Sequence, residues 1–210
     1  MEILAEIREA TIGGDRDRVS ELAKQALGEG IEADQIIQDG LIDAMRVVGK
    51  EYAAGSLYIP EMLIAARAMK TGLETVKPFL VGGEVKSIAK MVLGTVQGDL
   101  HDIGKNLVGM MLEGSGVEVI DLGIDVSPEM FVEAVKTHQP EFVGMSSLLT
   151  TTMGSMKLAI EALQQAGLRQ SVKVLVGGSP VTEQFAHQIS ADGYGENASQ
   201  AVDRIKEFLS

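Results

Sequence analysis

The chain has 210 residues, 45% of them hydrophobic, which suffices for one large domain or two small ones with real cores. A formal net charge of −12, from 18 Lys and Arg against 30 Asp and Glu, argues against binding to nucleic acid or an anionic membrane, because both need a basic face. The absence of cysteine excludes disulfides, thiolate zinc sites and an iron–sulfur cluster of its own.

The sequence shows no targeting or membrane-spanning segment. No apolar run approaches the roughly 18 residues of a membrane span. The start of the chain, MEILAEIREA, lacks the basic beginning and apolar centre of a signal peptide. A cytoplasmic location is therefore expected.

Up to Pro78 the apolar residues recur with a helical period, in groups separated by glycine-rich or polar breaks. This pattern predicts a bundle of about four helices. Pro60 fits the first turn of the last helix, where its missing N–H costs nothing. The groups are Leu4 and Ile7; Val19, Leu22 and Ala26; Ile37, Leu41, Met45 and Val48; and Met62, Leu63, Ala66, Met69 and Leu73.

A connector that contains proline and glycine, KPFLVGGEVK from Lys77 to Lys86, follows the bundle. Beyond it, short apolar runs alternate with helical segments, which implies right-handed crossovers and a parallel sheet covered on both faces. We therefore predict two domains, a helical cap at 1–80 and an α/β domain at 88–210. The expected strands are Met91–Val96, Val117–Leu122, Phe142–Met145, Val172–Val176 and a weak one at Asp192–Tyr194; the expected helices are Lys105–Glu113, Pro128–Thr137, Thr152–Ala166, Thr182–Ile189 and Asn197–Leu209.

The most informative segment is GDLHDIGKNLV, from Gly98 to Val108, directly after the first predicted strand. In an extended segment residues i and i+2 project to the same side, so Asp99 can reach the ring of His101. A carboxylate that orients a histidine is a common feature of metal ligation, because it fixes the tautomer and raises the basicity of the ligating nitrogen. One imidazole cannot hold a bare metal ion. The metal is therefore expected to bring its other ligands, as cobalt does inside a corrin ring.

Several segments in the same order resemble the cobalamin-binding region of methyltransferase corrinoid proteins and of methionine synthase. They are the GDLHDIGKNLV motif, SSLLTTT from Ser146 to Thr152, and VGG from Val176 to Gly178. The preceding GSLYIPEMLIAARAMK, from Gly55 to Lys70, is similar to the helical cap of these proteins. The resemblance covers nearly the whole chain. It implies a four-helix cap followed by a flavodoxin-like, doubly wound parallel sheet of five strands.

The resemblance also implies the roles of three residues in the chemistry. His101 is expected to be the lower axial ligand of cobalt, and Asp99 to accept a hydrogen bond from its other ring nitrogen. When the ligand is lost, His101 can take up a proton, and the nearby carboxylate stabilises the resulting cation. A hydroxyl completes this relay, and Thr152 stands where methionine synthase has serine. The residues alone leave two alternatives open: His101 as an ordinary loop histidine, and Thr152 as an ordinary helix start.

A larger set is expected to hold the corrinoid and its buried nucleotide tail. Glycine lets the backbone approach a ligand closely, and the hydroxyls of Ser146 and Thr150 can bond the tail. We interpret Asp102 as the cap of the following helix, while Lys105 lies either at the amide rim of the corrin or in solvent. The cofactor-binding set is Gly98, Asp99, His101, Asp102, Ile103, Gly104, Gly144, Ser146, Leu148, Thr150, Gly177, Gly178 and Tyr58.

In the cap, Tyr58, Met62 and Met69 are candidates for contact with the upper face of the corrin. Periodicity alone favours the alternative that the two methionines fill the core of the bundle. Tyr58 is the stronger candidate, since the family places an aromatic residue before the proline. The other two histidines, His138 and His187, have no partner pattern and are expected at the surface.

The implied function is that of a methyl carrier, a component of a methyltransferase system rather than a stand-alone enzyme. A substrate-specific methyltransferase would load the corrinoid, and a second one, directed to a folate or a thiol, would unload it. Because the chain has no cysteine, a separate iron–sulfur protein is expected to supply reductive activation. The donor pocket lies in the partner, so methylamine, methanol, methoxylated aromatics and betaine all stay open.

Three other classes compete with this interpretation. A corrinoid-dependent isomerase subunit would need a barrel that the chain is too short to contain. A phosphoacceptor receiver domain needs an aspartate at the end of its third strand, where this chain has Met145-Ser146. A cobalamin-binding sensor would call for a basic DNA-binding module, which the acidic N-terminal segment lacks. The sensor is kept as the alternative.

Overall fold

The computed structural model describes residues 2–80 and 87–209. The chain forms two compact units, one helical and one α/β. The helical unit is Met1–Ser87 with Gly114–Gly116, and the α/β unit is Ile88–Glu113 with Val117–Ser210.

The domain limits predicted from the sequence, 1–80 and 88–210, stay predictions. Part of the predicted connector, residues 81–86, lies outside the described residues. Among the described residues, none of the helices combines the length and the apolar character that crossing a bilayer requires.

Over residues 2–80 the helical unit contains four helical stretches, in agreement with the predicted bundle. The third stretch is continuous and includes a π-helical segment, which the sequence pattern did not predict. In chain order the elements are α1 (Glu2–Ile12), α2 (Arg16–Gly28), α3 (Ala33–Gln35), the π-helical segment (Ile36–Ile42), α4 (Asp43–Ala53), α5 (Ile59–Val76) and a 3₁₀ turn (Lys77–Phe79).

Local sequence signals explain where these helices begin. The side chain of Asp15 accepts a hydrogen bond from the Arg18 N–H at 3.0 Å and caps α2. At the start of α5 the Glu61 carboxylate accepts from the Tyr58 N–H at 2.8 Å. Pro60 lies in the first turn of α5, as predicted.

The buried face of α5 differs from the predicted one. Small residues let α2 pack closely against it, and a Cβ on Gly72 would lie 2.9 Å from Cγ1 of Val19. The pattern placed Leu63, Ala66 and Leu73 on the inner face, but these three are only half-buried. The buried residues are Met62, Ala65, Ala68, Met69, Gly72 and Val76.

The α/β unit is a five-stranded parallel sheet with the strand order β2-β1-β3-β4-β5, the flavodoxin-like order that was predicted. Each strand is followed by a helix, so the connections cover the sheet. The elements are β1 (Ala89–Thr95), α6 (Ile103–Glu113), β2 (Val117–Asp121), α7 (Pro128–His138), β3 (Phe142–Ser146), α8 (Met153–Gln165), β4 (Lys173–Gly177), α9 (Glu183–Gln188), β5 (Gly193–Gly195) and α10 (Ala198–Leu209).

Apolar β-branched residues form the centre of the sheet. Val92, Val143 and Val174 on three neighbouring strands are fully buried, in one core cluster that also contains Phe131 of α7. The chain leaves β1 toward β2 on one side of the sheet and leaves β3 toward β4 on the other side, so the two connections run in opposite directions. The carboxyl ends of β1 and β3 therefore form the topological switch point, where ligands bind in folds of this kind.

A compact polar cluster lies at the opposite edge, at the amino ends of β4 and β5. Arg169 contacts Asp192 at 2.7 Å and donates to the Ser190 carbonyl at 2.6 Å. The Asp192 carboxylate also accepts from the Val174 N–H at 2.8 Å. We call these residues the Arg169 clasp; it joins the two strands where they start.

Candidate functional site

Buried polar side chains concentrate at the switch point. Among the described residues six polar or charged side chains are buried, and five of them belong to this region. Burying such groups costs free energy unless they are hydrogen-bonded, so their concentration at one edge of the sheet indicates a functional site. The five are Thr95, Asp99, Lys105, Ser147 and Thr152; the sixth, Thr11, lies in α1.

Asp99 holds the ring of His101, as the i, i+2 spacing predicted. The distance between Asp99 Oδ1 and His101 Nδ1 is 2.7 Å, and the same oxygen accepts from the His101 backbone N–H at 3.1 Å. Asp99 is fully buried, whereas the His101 side chain is 52% exposed. This pairing leaves Nε2 as the ring nitrogen available to a metal.

The second oxygen of Asp99 is held by the loop that follows β3. Oδ2 accepts from the backbone N–H of Leu148 at 2.7 Å and of Leu149 at 3.2 Å. The Thr152 hydroxyl donates to it at 2.9 Å. Ser147 adds a second hydroxyl, 2.8 Å from that of Thr152 and 3.4 Å from Oδ2. Thr152 is therefore more than a helix start, since its hydroxyl bonds the carboxylate that holds His101.

These contacts keep Asp99 ionised. Burial alone raises the pKa of the Asp99 carboxyl, because it removes water from the charged form. The donated hydrogen bonds act in the opposite direction and hold that pKa well below its usual range. The largest lowering comes from the His101 ring, followed by the backbone N–H of Leu148.

We expect Asp99→Asn to lower the free energy of unfolding by about 2 kcal/mol at pH 7, because buried donors lose their charged acceptor. A carboxyl whose pKa is depressed by folding stabilises the fold above its unfolded pKa of about 4, and this stabilisation is lost as the pH falls further. The difference between the two proteins should therefore shrink below about pH 4. Urea unfolding across the pH range measures it.

The matched control for this pH series is Asp34→Asn, at an exposed carboxylate in α3. Its free energy of unfolding should stay close to that of the unchanged protein at every pH. An Asp99→Asn deficit of constant size down to about pH 3 would contradict the low pKa of Asp99.

Two glycines at the carboxyl end of β4, Gly177 and Gly178, allow close approach of neighbouring backbone. Gly178 has a φ of +127°, and a Cβ there would lie 1.9 Å from the carbonyl oxygen of Ser147. A Cβ on Gly177 would lie 2.7 Å from the carbonyl oxygen of Gly195 in β5. No side chain fits at Gly178 without moving the loop that carries Ser147.

The loop after β1 is anchored at its start. Gly98 has a φ of +85°, and its N–H donates to the Asp125 carboxylate at 2.7 Å. The Asp125 N–H in turn donates to the Asp99 carbonyl at 3.1 Å. The loop after β2 therefore also supports the segment that carries His101.

Other predicted residues have different surroundings. A Cβ on Gly144 would lie 2.2 Å from Cε of Met91, so packing between β3 and β1 accounts for this glycine. A Cβ on Gly104 would meet no atom within 4 Å. Ser146, the last residue of β3, is half-buried, and Thr150 is exposed in the loop beyond it. Their expected contacts with a cofactor tail stay predictions.

Two charged residues within the motif have surroundings that the sequence did not predict. Asp102 precedes α6 as predicted, but its carboxylate accepts from the side-chain amide of Asn106 at 3.0 Å. Lys105 was expected at the rim of the corrin or in solvent, yet it is 2% exposed. Its Nζ contacts both carboxylate oxygens of Asp121 at 2.6 Å, which explains how a lysine can be buried there.

Exposed apolar side chains flank His101 in the chain and lie on the loop that binds Asp99. Ile103 is 84% exposed and Leu100 is 66% exposed, on either side of His101 and Asp102. Leu148 and Leu149, on the loop after β3, are also exposed. Clustered exposed apolar side chains mark a binding surface, and these suit a flat macrocycle.

Tyr58 belongs to the other unit, where its side chain is 71% exposed as the residue before α5. Its predicted contact with the corrin stays a prediction. Met62 and Met69 are buried, as the periodicity favoured. His138 and His187 are exposed, as expected.

Sequence reasoning missed Ser147, Asp125 and Gly195. Ser147 was passed over in favour of its neighbour Ser146, although alternation along β3 gives only one of the two a buried side chain. Asp125 has a φ of +54°, which no sequence pattern predicted. Gly195 lies in the segment GYGEN, and its distance in the chain after β4 was the only sequence feature that could have indicated it.

The residues present fit a metal that arrives with its own ligands. No group of three or more His, Cys, Asp or Glu side chains within residues 2–80 and 87–209 could hold a metal ion. The site instead offers one oriented imidazole, exposed apolar side chains, and glycines at which backbone segments pack closely together. This donor set fits a corrinoid, in which the macrocycle supplies four ligands to cobalt.

Fold and site together define a cofactor-binding α/β protein with a helical domain before it. The B12 binding domain family matches residues 89–203, and a second B12 binding domain model matches residues 3–77. The chain belongs to this B12-binding family of corrinoid proteins, and its cofactor is cobalamin or a related corrinoid.

The chain is similar to curated corrinoid proteins over its whole length. It is 41% identical over 210 residues to trimethylamine corrinoid protein 1 of Methanosarcina acetivorans, covering 99% of this chain and 97% of that protein. It is 42% identical over 212 residues to a corrinoid protein of Desulfitobacterium hafniense, covering 100% of this chain and 98% of that protein. Neither name supports the sensor alternative.

Two solved structures agree with the fold. The methanol:cobalamin methyltransferase complex MtaBC from Methanosarcina barkeri contains a chain that matches with a TM-score of 0.92 at 32% identity, covering 99% of this chain and 80% of that one. A cobalamin-binding protein from Desulfitobacterium hafniense matches with a TM-score of 0.79 at 33% identity, covering 99% and 98% of the two chains.

Proposed function

We propose that this chain is a corrinoid-binding methyl carrier that receives a methyl group from a substrate-specific methyltransferase and delivers it to a second methyltransferase. The observation that carries the proposal is the contact of 2.7 Å between buried Asp99 and the ring of half-exposed His101. The names of its relatives, a trimethylamine corrinoid protein and a methanol methyltransferase complex, support the class of reaction.

When bound, the corrinoid supplies a cobalt centre that can accept and release a methyl group. His101 would bind this cobalt through Nε2. Because Nδ1–H donates its hydrogen bond to Asp99, Nε2 carries the lone pair that a metal ligand needs. The residues of the loop after β3 act one step further out, because they hold Asp99 ionised and in place.

The same residues can move a proton when His101 leaves the metal. Nε2 then takes up a proton, and the ionised Asp99 stabilises the imidazolium through the existing hydrogen bond. The hydroxyls of Thr152 and Ser147 adjust to this change, since each can donate or accept. Asp99 and Thr152 therefore tune how strongly His101 binds, while His101 is the group that touches the cofactor.

The rest of the proposed binding set surrounds this centre. Ile103 and Leu148 would contact the apolar faces of the macrocycle, since both are exposed beside His101. Gly98, Gly177 and Gly178 belong to the proposed set as well, because their missing side chains let the segments at this edge pack closely against Thr152, Gly195 and Ser147. We also propose roles for Gly104, Gly144, Ser146, Thr150 and Tyr58 in holding the corrinoid.

Two further partners complete the proposal. An acceptor methyltransferase directed to a thiol or a folate would remove the methyl group. A separate iron–sulfur protein would restore cobalt after accidental oxidation, because the chain has no cysteine with which to hold a cluster.

Reconstitution tests the function. The full chain is loaded with hydroxocobalamin under a titanium(III) reductant. It is then mixed with a methyltransferase for a methylamine, methanol, a methoxylated aromatic or betaine, and with a thiol-directed or folate-directed acceptor enzyme. We expect one donor pair to give methyl transfer whose rate increases in proportion to the amount of loaded chain. Loaded protein that transfers no methyl group in any pairing would refute the carrier role.

A further inference from the structure

We propose that Lys105 is a positioning residue for His101: its buried ammonium group anchors the loop that carries the imidazole to the end of β2. The inference rests on the proposed function, because it concerns the residue that would bind cobalt. Lys105 does not touch the reacting atoms; it acts through the loop.

The surroundings of Lys105 are those of an anchor and not of a surface lysine. Its side chain is 1% exposed, although it lies in the first turn of α6. Nζ donates to both carboxylate oxygens of Asp121 at 2.6 Å and to the side-chain oxygen of Asn106 at 2.7 Å. These three contacts satisfy all three protons of the ammonium group.

From Lys105 the network reaches one side of His101 through Asn106. The side-chain amide of Asn106 donates to the Asp102 carboxylate at 3.0 Å, and its backbone N–H donates to the Asp102 carbonyl at 2.7 Å. Asp102 follows His101 directly in the chain. The residue after the imidazole is therefore tied to the buried ammonium group through a single side chain.

The network reaches the other side of the loop through Asp121, the last residue of β2. Its carboxylate accepts from the Gly123 N–H at 2.8 Å, and the Gly123 carbonyl accepts from the Thr95 N–H at 3.0 Å. The buried hydroxyl of Thr95 donates to the carbonyl of His101 at 2.9 Å. The hydrogen bonds form a closed ring that starts and ends at the His101 segment.

The ring of hydrogen bonds and Asp99 restrain different parts of the His101 residue. Asp99 fixes the orientation of the imidazole, whereas the ring fixes the backbone that carries it. A metal ligand misplaced by a fraction of an ångström binds poorly, so both are needed for ligation. Lys105 joins the two arms of the ring through Asn106 and Asp121, which makes it the residue to change.

The experiment compares Lys105→Met with Lys90→Met in the full chain. Lys90 forms a partly exposed ion pair of 3.5 Å with Glu118 that joins the same two strands at their other end, so it is a matched control. Each protein is loaded with cobalamin and reduced to cobalt(II), and the nitrogen hyperfine splitting reports the fraction ligated by His101. We expect this fraction to fall several-fold in Lys105→Met and to stay unchanged in Lys90→Met.

A second readout needs no cofactor. Amide hydrogen exchange over residues 99–104 should be about tenfold faster in Lys105→Met than in the unchanged protein, because the loop opens locally without its anchor. Lys90→Met should leave this exchange unchanged. Full histidine ligation together with unchanged exchange in Lys105→Met would overturn the proposal.

A double variant separates positioning from the cost of an unpaired charge. Lys105→Met alone leaves Asp121 without its partner, and Lys105→Met/Asp121→Leu removes that imbalance. We expect the double variant to fold at least as stably as Lys105→Met and still to show weak histidine ligation. Restored ligation would mean that only charge pairing mattered and would overturn the proposal. Missing histidine ligation in the unchanged protein would instead overturn the proposed function.

Discussion

Replacing His101 with alanine is expected to remove the nitrogen ligand from cobalt and abolish methyl transfer, while the protein stays folded. The side chain is 52% exposed, so its loss removes little packing. Loss of a residue that only supports a metal ligand lowers metal affinity about 10- to 100-fold. Loss of His101 itself should lower the affinity for cobalamin by more than this. Visible absorption and the nitrogen hyperfine splitting of bound cobalt(II) measure the ligation, and spectroscopic titration with cobalamin gives the affinity.

His138→Ala is the matched control, because His138 is an exposed histidine at the end of α7. It should bind cobalamin and show the hyperfine splitting of the unchanged protein. If His101→Ala also kept that splitting, a different residue would be the axial ligand. Far-ultraviolet circular dichroism of both variants confirms that each is folded.

The second large effect is expected from Gly178→Ala, which should lower the free energy of unfolding by about 2 to 6 kcal/mol. About 1 to 3 kcal/mol comes from placing a side chain at a φ of +127°. A further amount of about 1 to 3 kcal/mol comes from the new Cβ, 1.9 Å from the Ser147 carbonyl oxygen, which forces the loop to move. Urea unfolding without cofactor measures the loss.

Gly167→Ala separates the two contributions. Gly167 also has a positive φ, +72°, but a Cβ there would meet no atom within 4 Å. This control should lose only about 1 to 2 kcal/mol, the cost of the left-handed conformation. Equal losses in the two variants would show that the close approach to Ser147 contributes nothing.

Displacement of the Ser147 loop should also weaken the hold on Asp99. The Leu148 N–H and the Thr152 hydroxyl belong to this loop, and both donate to the carboxylate. We therefore expect any Gly178→Ala protein that folds to bind cobalamin less tightly than Gly167→Ala.

Local patterns explain why much of the α/β unit could be predicted. The contact between Asp99 and His101 depends on two residues of one extended segment, so their spacing alone indicates it. The parallel order followed from apolar runs that alternate with helical ones. The first strand begins at Ala89 and not at Met91, because pairing with Val117 extends it by two residues, and a strand partner is not visible in a local pattern.

The missed contacts join residues that are distant in the sequence. Ser147 contacts Asp99 across 48 positions, and Lys105 contacts Asp121 across 16. A lysine in the first turn of a helix is usually exposed, so only the folded structure shows that this one is buried. The prediction that Gly144 lies on the path of the cofactor stays a prediction, and its packing against Met91 of the neighbouring strand is a contact that no local pattern shows.

The Arg169 clasp has a consequence for how this scaffold can diversify. Every residue of the clasp lies where β4 and β5 begin, and the proposed ligand contacts of the α/β unit lie at the ends where strands finish. A substitution in an exposed loop at the finishing ends does not touch the clasp, so the start of β4 and β5 keeps the same contacts. The exposed positions of those loops, and not buried or closely packed ones such as Asp99 or Gly178, are therefore where the chain can vary without loss of strand pairing.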